Sequence, residues 1–239
     1  MAAMTLLSTR GLSRHFGGLR AVENVDFDLP EGEIRALIGP NGAGKTTFVS
    51  MLCGRVPVSS GQITFAGRDV TRMPAHKRVQ MGIAYTFQIT SIFAALSVRE
   101  NVELAVQRIG RKTGAVLHDE SDALLARVGL HGRGEQIAGD LAYGHQRLLE
   151  IAMGLGQNPR LLILDEPTQG LSDGEVHAFI KLIREVARDT TVLLIEHNID
   201  VVMALAQRIT VMNFGAIIAE GTPDEIHASE AVQAAYLGG

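Results

Sequence analysis

The chain has 239 residues, 46% hydrophobic and 20% charged, a balance that fits a globular protein with a sizeable core. Its formal net charge of -4, from 22 basic and 26 acidic residues, gives no basic signature of a nucleic-acid partner. The single cysteine, Cys53, excludes an internal disulfide framework or a Cys-rich metal site.

No apolar run approaches the ~18 residues of a membrane span, and "MAAMTLLSTRG" lacks the layout of a signal peptide, so any membrane work is expected at the surface. Residues 5–38 read as strands. "AVENVDFDL" alternates with period two, and "EIRALIG" is a short apolar run ahead of glycines. A helix is expected from about Lys45 to Cys53, a strand in "GQITFAG", and a short helix after Pro74. From about Ile89 to Gly156 strand signals nearly vanish. "SVRENVELAVQRI" and "DALLARVGL" have helical spacing, and Leu148, Ala152 and Leu155 form one apolar stripe.

After Pro159 the alternation returns. "LLILDE" and "TTVLLIEH" read as buried strands, "GEVHAFIKLIREVAR" and "DVVMALAQ" as helices, and "RITVMNFG" as a further strand. Apolar strands separated by helices predict a mainly parallel sheet covered on both faces, hence an α/β core with a helical insertion in its middle.

Three stretches carry chemistry. "GPNGAGKT", Gly39 to Thr46, fits G-x-x-x-x-G-K-[ST] between a predicted strand and helix. Glycines let the backbone turn its N–H groups inward, and the helix N-terminus adds partial positive charge, so the loop suits phosphates. Lys45 would reach the β- and γ-phosphates, and the Thr46 hydroxyl would ligate Mg²⁺. "LLILDE" closes a buried strand on Asp165 and Glu166. A charge there needs a partner: Asp165 suits the magnesium and Glu166 a general base for water. "LLIEH" ends the next strand on His197, a candidate γ-phosphate contact, since ligands gather at such strand ends. His15, His76 and His118 have no comparable context and read as surface or structural.

With "LAYGH" just upstream of "LLILDE", these stretches stand in an order that resembles the ATP-binding cassette (ABC) family over nearly the whole chain. The resemblance implies a P-loop (RecA-like) core with an N-terminal antiparallel β subdomain and an inserted helical subdomain. Residues 1–88 and 156–239 would form the core and 89–155 the insertion. It places Gln88 of "YTFQ" in the Q-loop, as a metal and catalytic contact beside Lys45, Glu166 and His197. "GLSD" (Gly170 to Asp173) would be the D-loop, and Phe16 the aromatic that stacks on adenine. The nucleotide would lie on Gly39, Pro40, Asn41, Gly42, Ala43, Gly44, Lys45, Thr46 and Thr47. Ala142, Tyr143, Gly144 and His145 would face it in trans from the second subunit of a head-to-tail pair.

"GIAYTFQ", "LEIA", "LLIEHNIDVVMALAQRITVMNFG" and the tail "AAYLGG" are similar to ATPase subunits of branched-chain amino-acid importers, and "TFQ" resembles their LivG type. This implies ATP and Mg²⁺ as cofactors and a second ATPase subunit, LivF-like or a copy of this chain. Two transmembrane permeases and, indirectly, a periplasmic solute-binding protein would complete the system, with the ATPase on the inner face of the cell membrane. The ATPase of a lipid or lipopolysaccharide exporter, and a non-transport ABC regulator, are the alternatives. "ITSIFAALSV" reads as insertion core or as a groove for a permease helix. Three departures stand out: Ala142 where the family signature has Ser, Tyr143 for its first Gly, and His145 for its Gln. Leu148 and Met153 also stand where relatives often carry Arg.

Overall fold

A computed structural model describes residues 4–86, 91–108 and 113–237. Two sheets carry the chain. The strands β1 (Thr5–Phe16), β2 (Leu19–Pro30), β3 (Ile34–Ile38), β4 (Ser60–Phe65) and β5 (Arg68–Asp69) come first. All but β3 join an antiparallel sheet in the order β2-β1-β4-β5. The remaining strands are β6 (Ile83–Thr86), β7 (Leu161–Asp165), β8 (Thr191–Ile195), β9 (Arg208–Asn213) and β10 (Ala216–Gly221). With β3 they form a second sheet, in the order β10-β9-β3-β8-β7-β6. It is parallel except for β10, which pairs antiparallel with β9.

Every residue of β3, β7 and β8 is buried, as expected for strands covered on both faces. The period-two geometry divides their side chains between two cores. Leu37, Leu161, Ile163, Leu193 and Ile195 join the side that holds Phe27 and Leu12 of the antiparallel sheet. That core also takes Phe48 and Val49 from α1 (Lys45–Leu52). Ile34, Leu162, Leu164, Val192 and Leu194 join the opposite side. A short helix α2 (Ala75–Gln80) follows Pro74. Helices α3 (Val98–Gln107), α4 (Ala115–Arg127) and α5 (Tyr143–Leu155) occupy the central stretch. They pack on the second core, as does α6 (Asp173–Val186). Helices α7 (Ile199–Leu205), α8 (Pro223–His227) and α9 (Glu230–Leu237) complete the chain. Val202 and Ile226, with Ala36 and Ile38, build a third, smaller core.

One sequence expectation needs adjustment. The buried stripe of α5 runs through Leu149, Ala152 and Leu155, with Leu148 half-buried at its margin, because the helix turns Leu149 toward the sheet. Strands β6 and β10 carry no clear sequence signal: β6 has only four residues, and β10 keeps much of its length partly exposed.

The register decides where the chemistry gathers. Leu37 pairs with Ile195, and Ile195 with Asp165. The C-terminal ends of β3, β8 and β7 therefore lie side by side, and the loops leaving these three strands open on one edge of the sheet.

Candidate active site

The glycine-rich loop Gly39–Gly44 joins β3 to α1. Gly39 (φ 150°) and Gly44 (φ 99°) occupy backbone conformations that side chains rarely adopt. A Cβ at Gly39 would sit 2.1 Å from the Met212 carbonyl, and one at Gly44 2.4 Å from the Ala21 carbonyl. The loop is packed too closely for any other residue at these two positions. Gly215 N–H donates to the Ala43 carbonyl at 2.9 Å, and Glu23 N–H donates to the Gly215 carbonyl at 2.9 Å, tying the loop to the β9–β10 turn and β2. Lys45 is buried, and its Nζ donates to the carbonyls of Gly39 (2.6 Å) and Pro40 (3.0 Å). Burial lowers its pKa, while the negative charges of Glu166 and Asp165 oppose that shift.

Asp165 ends β7 almost fully buried and accepts a 2.6 Å hydrogen bond from the Tyr85 hydroxyl of β6. Burial pushes the Asp165 carboxyl above the usual range, and the Tyr85 bond pulls it partly back. The Tyr85 phenol is pushed up as well, by burial first and by Asp165 second. The Arg55 guanidinium carbon lies 5.3 Å from the Tyr85 ring centre.

Glu166 takes a left-handed backbone conformation (φ 48°), and its N–H donates to the Ile195 carbonyl at 2.9 Å. This turn aims the Glu166 side chain along the sheet edge, where its Oε1 lies 2.7 Å from His197 Nε2. Between the two loops sits Glu196, only 4% exposed. Its Oε1 accepts from the Thr168 N–H (3.1 Å) and hydroxyl, and its Oε2 from the N–H groups of His197 (2.7 Å) and Asn198 (2.9 Å). An open cleft of about 470 Å³ is lined by Asn41 to Thr47, Glu166 and His197, with Leu19, Arg20, Ala21 and Phe214 at its rim.

The stretch Leu141–His145 lies outside that cleft and opens α5. Ala142 is the N-cap and makes no side-chain capping bond, so no hydroxyl competes for the N–H groups of the first turn. Gly144 is buried because Glu175 of α6 leans on it: a Cβ there would meet Glu175 Oε1 at 2.1 Å. Glu175 Oε2 accepts from the N–H (2.8 Å) and hydroxyl (2.7 Å) of Ser172, which hold its pKa low, with a smaller push from His145. The Tyr143 ring lies against Gly170, and its hydroxyl accepts from Arg147 at 2.9 Å. Buried Arg147 also pairs with Glu150 at 2.9 Å, and Glu150 Oε1 accepts from the Ser91 N–H at 2.6 Å.

Comparison with known proteins fixes the family. The ABC transporter family model matches residues 22–169, and the branched-chain amino acid ATP-binding cassette transporter model matches residues 216–239. The chain belongs to the ABC transporter family. The high-affinity branched-chain amino acid transport ATP-binding protein LivG of Salmonella typhimurium is 42% identical, over 98% of this chain and 98% of its own length. The lipopolysaccharide export system ATP-binding protein LptB of Escherichia coli K12 is 36% identical, over 98% of both chains. Among solved structures, the ADP conformation of an ATP-binding cassette of an ABC transporter superposes with a TM-score of 0.90 at 26% identity. It covers 99% of this chain and 100% of that one.

In this ABC ATPase, then, Asn41–Thr47, Glu166 and His197 share one cleft, with Asp165 buried behind it and the carbonyls of Gly39 and Pro40 holding Lys45. Ala142, Tyr143, Gly144 and His145 stand apart from the cleft. Gln88 and Ile89 lie outside the described residues. Phe16 is 44% exposed with the Arg14 guanidinium carbon 4.4 Å from its ring centre, and it is not among the residues that line the cleft. His15 pairs with Glu23 and His118 with Glu103, in keeping with a structural reading of both. Sequence reasoning missed Tyr85, Glu175 and Glu196. Only Glu196 left a signal, an acid closing the buried run "LLIE" just as Asp165 closes "LLILD".

Proposed function

We propose that this cassette hydrolyses ATP with Mg²⁺ to drive import of branched-chain or other hydrophobic amino acids or related small solutes. One observation carries the catalytic part: Lys45, Glu166 and His197 meet in the cleft lined by Asn41–Thr47, with buried Asp165 near enough for its charge to act on Lys45. Backbone N–H groups of the loop and the N-terminus of α1 would bind the phosphates, and Lys45 would exchange its loop carbonyls for phosphate oxygens. Glu166 would take the proton of the attacking water, with His197 Nε2 holding its Oε1 in place. The oxygen donors of Thr46 and Asp165 suit a hard divalent cation, with Gln88 as a third protein contact. Bound there, the ion would neutralise charge on the β- and γ-phosphates.

In this reading two ATPase subunits, this chain with a LivF-like partner or with its own copy, close head to tail. The first turn of α5, from Ala142 to His145, then faces the partner's nucleotide through backbone N–H groups and the helix dipole. Two transmembrane permease subunits would complete the transporter, with the ATPase pair on the inner face of the membrane and a periplasmic solute-binding protein delivering the cargo. No helix among the described residues is long and apolar enough to cross a membrane. The C-terminal match to the branched-chain family favours an amino-acid importer over a lipopolysaccharide exporter. Affinity purification from detergent extracts tests this: two polytopic membrane proteins and a second cassette should co-purify, and vesicles of the complex should take up leucine in an ATP-dependent way. Recovery of the chain with a lipopolysaccharide-transport complex instead would overturn the solute class.

A further inference from the structure

We propose that Glu196 is a positioning residue that holds Glu166 and His197 in register. The proposal rests on the reading of Glu166 as the base. Glu196 has almost no exposure to water, yet its carboxyl group sits at the edge of the sheet with a donor on every side. One oxygen takes the N–H and the hydroxyl of Thr168, two residues beyond Glu166. The other takes the N–H groups of His197 and Asn198. A single side chain therefore ties the loop after β7 to the loop after β8. The Glu166–His197 contact spans those same two loops at 2.7 Å.

An acceptor-only group is required here. Four donors converge on two oxygens, so a side chain that itself carries N–H groups must turn a donor against a donor. Thr168 also begins the run to Gly170, where Tyr143 packs, so the clamp fixes the path between the base and the α5 N-terminus. A displacement of about 1 Å at a reacting group costs on the order of 10²-fold in rate. That is the scale expected when the clamp is broken.

The test uses the purified full chain. Glu196→Gln keeps the size of the side chain and breaks the donor pattern. It should lower kcat for ATP by about 10–100-fold, leave KM and the affinity for a fluorescent ADP analogue within about threefold, and fold cooperatively. Thr168→Val removes one of the four donors and should lose less than Glu196→Gln. Combined with Glu166→Gln, the Glu196→Gln change should cost no further rate, because there is no longer a base to position. Parental kcat in Glu196→Gln, or a further full loss in the double variant, overturns the clamp. Parental kcat in Glu166→Gln overturns instead the reading of Glu166 on which it rests. If Glu196→Gln fails to fold, Thr168→Val decides: a kcat loss at unchanged KM supports the clamp, and parental kcat overturns it.

Discussion

His197 Nε2 and Glu166 Oε1 lie 2.7 Å apart although the residues follow different strands, β8 and β7. The approach depends on the left-handed turn at Glu166. Strain of that kind costs of order 1–3 kcal/mol and persists only where the surroundings fix it. Here they do: the Glu166 N–H is bound to the Ile195 carbonyl on the neighbouring strand.

If Glu166 takes the water's proton, Glu166→Gln should keep nucleotide affinity and lose turnover by roughly 10²–10⁴-fold, the usual contribution of a general base. His197→Ala frees one carboxylate oxygen without removing the base, so its loss should be the smaller of the two. Steady-state phosphate release together with ADP binding checks both. A Glu166→Gln cassette that turns over ATP like its parent would mean the base lies elsewhere.

Asp165 links activity to stability with opposite signs. Burial raises its carboxyl pKa in the fold above the ~3.9 of an unfolded chain. The folded state therefore holds its proton to higher pH. Stability is greatest below the unfolded value and falls as pH rises through the folded value. Asp165→Asn removes that penalty and leaves an oxygen for the Tyr85 hydroxyl to donate to. Its Tm should exceed the parent's at pH 7, by roughly 2–4 °C per kcal/mol in a chain of this size, and the gap should close toward pH 3. Its Mg²⁺-dependent hydrolysis should be lost. Thermal scans across pH, without nucleotide, give the test, and a parental Tm at pH 7 would refute it.

The two conspicuous loop glycines should respond differently to alanine. At Gly42 (φ 79°) an added methyl would have nothing within 4 Å, so Gly42→Ala meets only backbone strain of about 1–2 kcal/mol. Gly44 (φ 99°) would drive its methyl to 2.4 Å from the Ala21 carbonyl, a backbone atom that cannot swing away. Gly44→Ala should therefore unfold at clearly lower denaturant and bind ADP weakly, while Gly42→Ala stays close to the parent in stability. Equal midpoints for the two variants would contradict this packing of the loop.

The sequence made some of this legible and hid the rest for physical reasons. Buried strands announce themselves as apolar runs, and an acid or histidine at the end of one reads as chemistry, so the Gly39–Thr46 loop, Asp165, Glu166 and His197 were all visible. Tyr85 was not: its hydroxyl reaches Asp165 across 80 positions of sequence, and β6 is too short to show a period. Glu175 caps α6 with one oxygen, bound to Ser172. That its other oxygen fills the space beside Gly144 depends on how α6 packs on α5, which no local pattern encodes. Phe16 is singled out by resemblance alone, since nothing local to an exposed aromatic beside Arg14 encodes adenine stacking.

His145 is where the first turn of α5 departs furthest from the family signature, and the structure gives it a neighbour. It is half-buried beside Gly144, close enough to Glu175 for its positive charge to favour the ionised carboxylate. The two Ser172 bonds hold Glu175 ionised, so the carboxylate beside this turn stays negative. If this turn faces a partner's γ-phosphate, a fixed positive charge at position 145 adds to a helix N-terminus that already favours anions. His145→Lys should then bind ATP more tightly than His145→Gln by about threefold, a gain of roughly 0.6 kcal/mol, within the usual size of charge–helix-terminus effects. Phosphate-release rates of the two variants across ATP concentration, at matched ionic strength, decide it, and superimposable curves would remove position 145 from the trans contact.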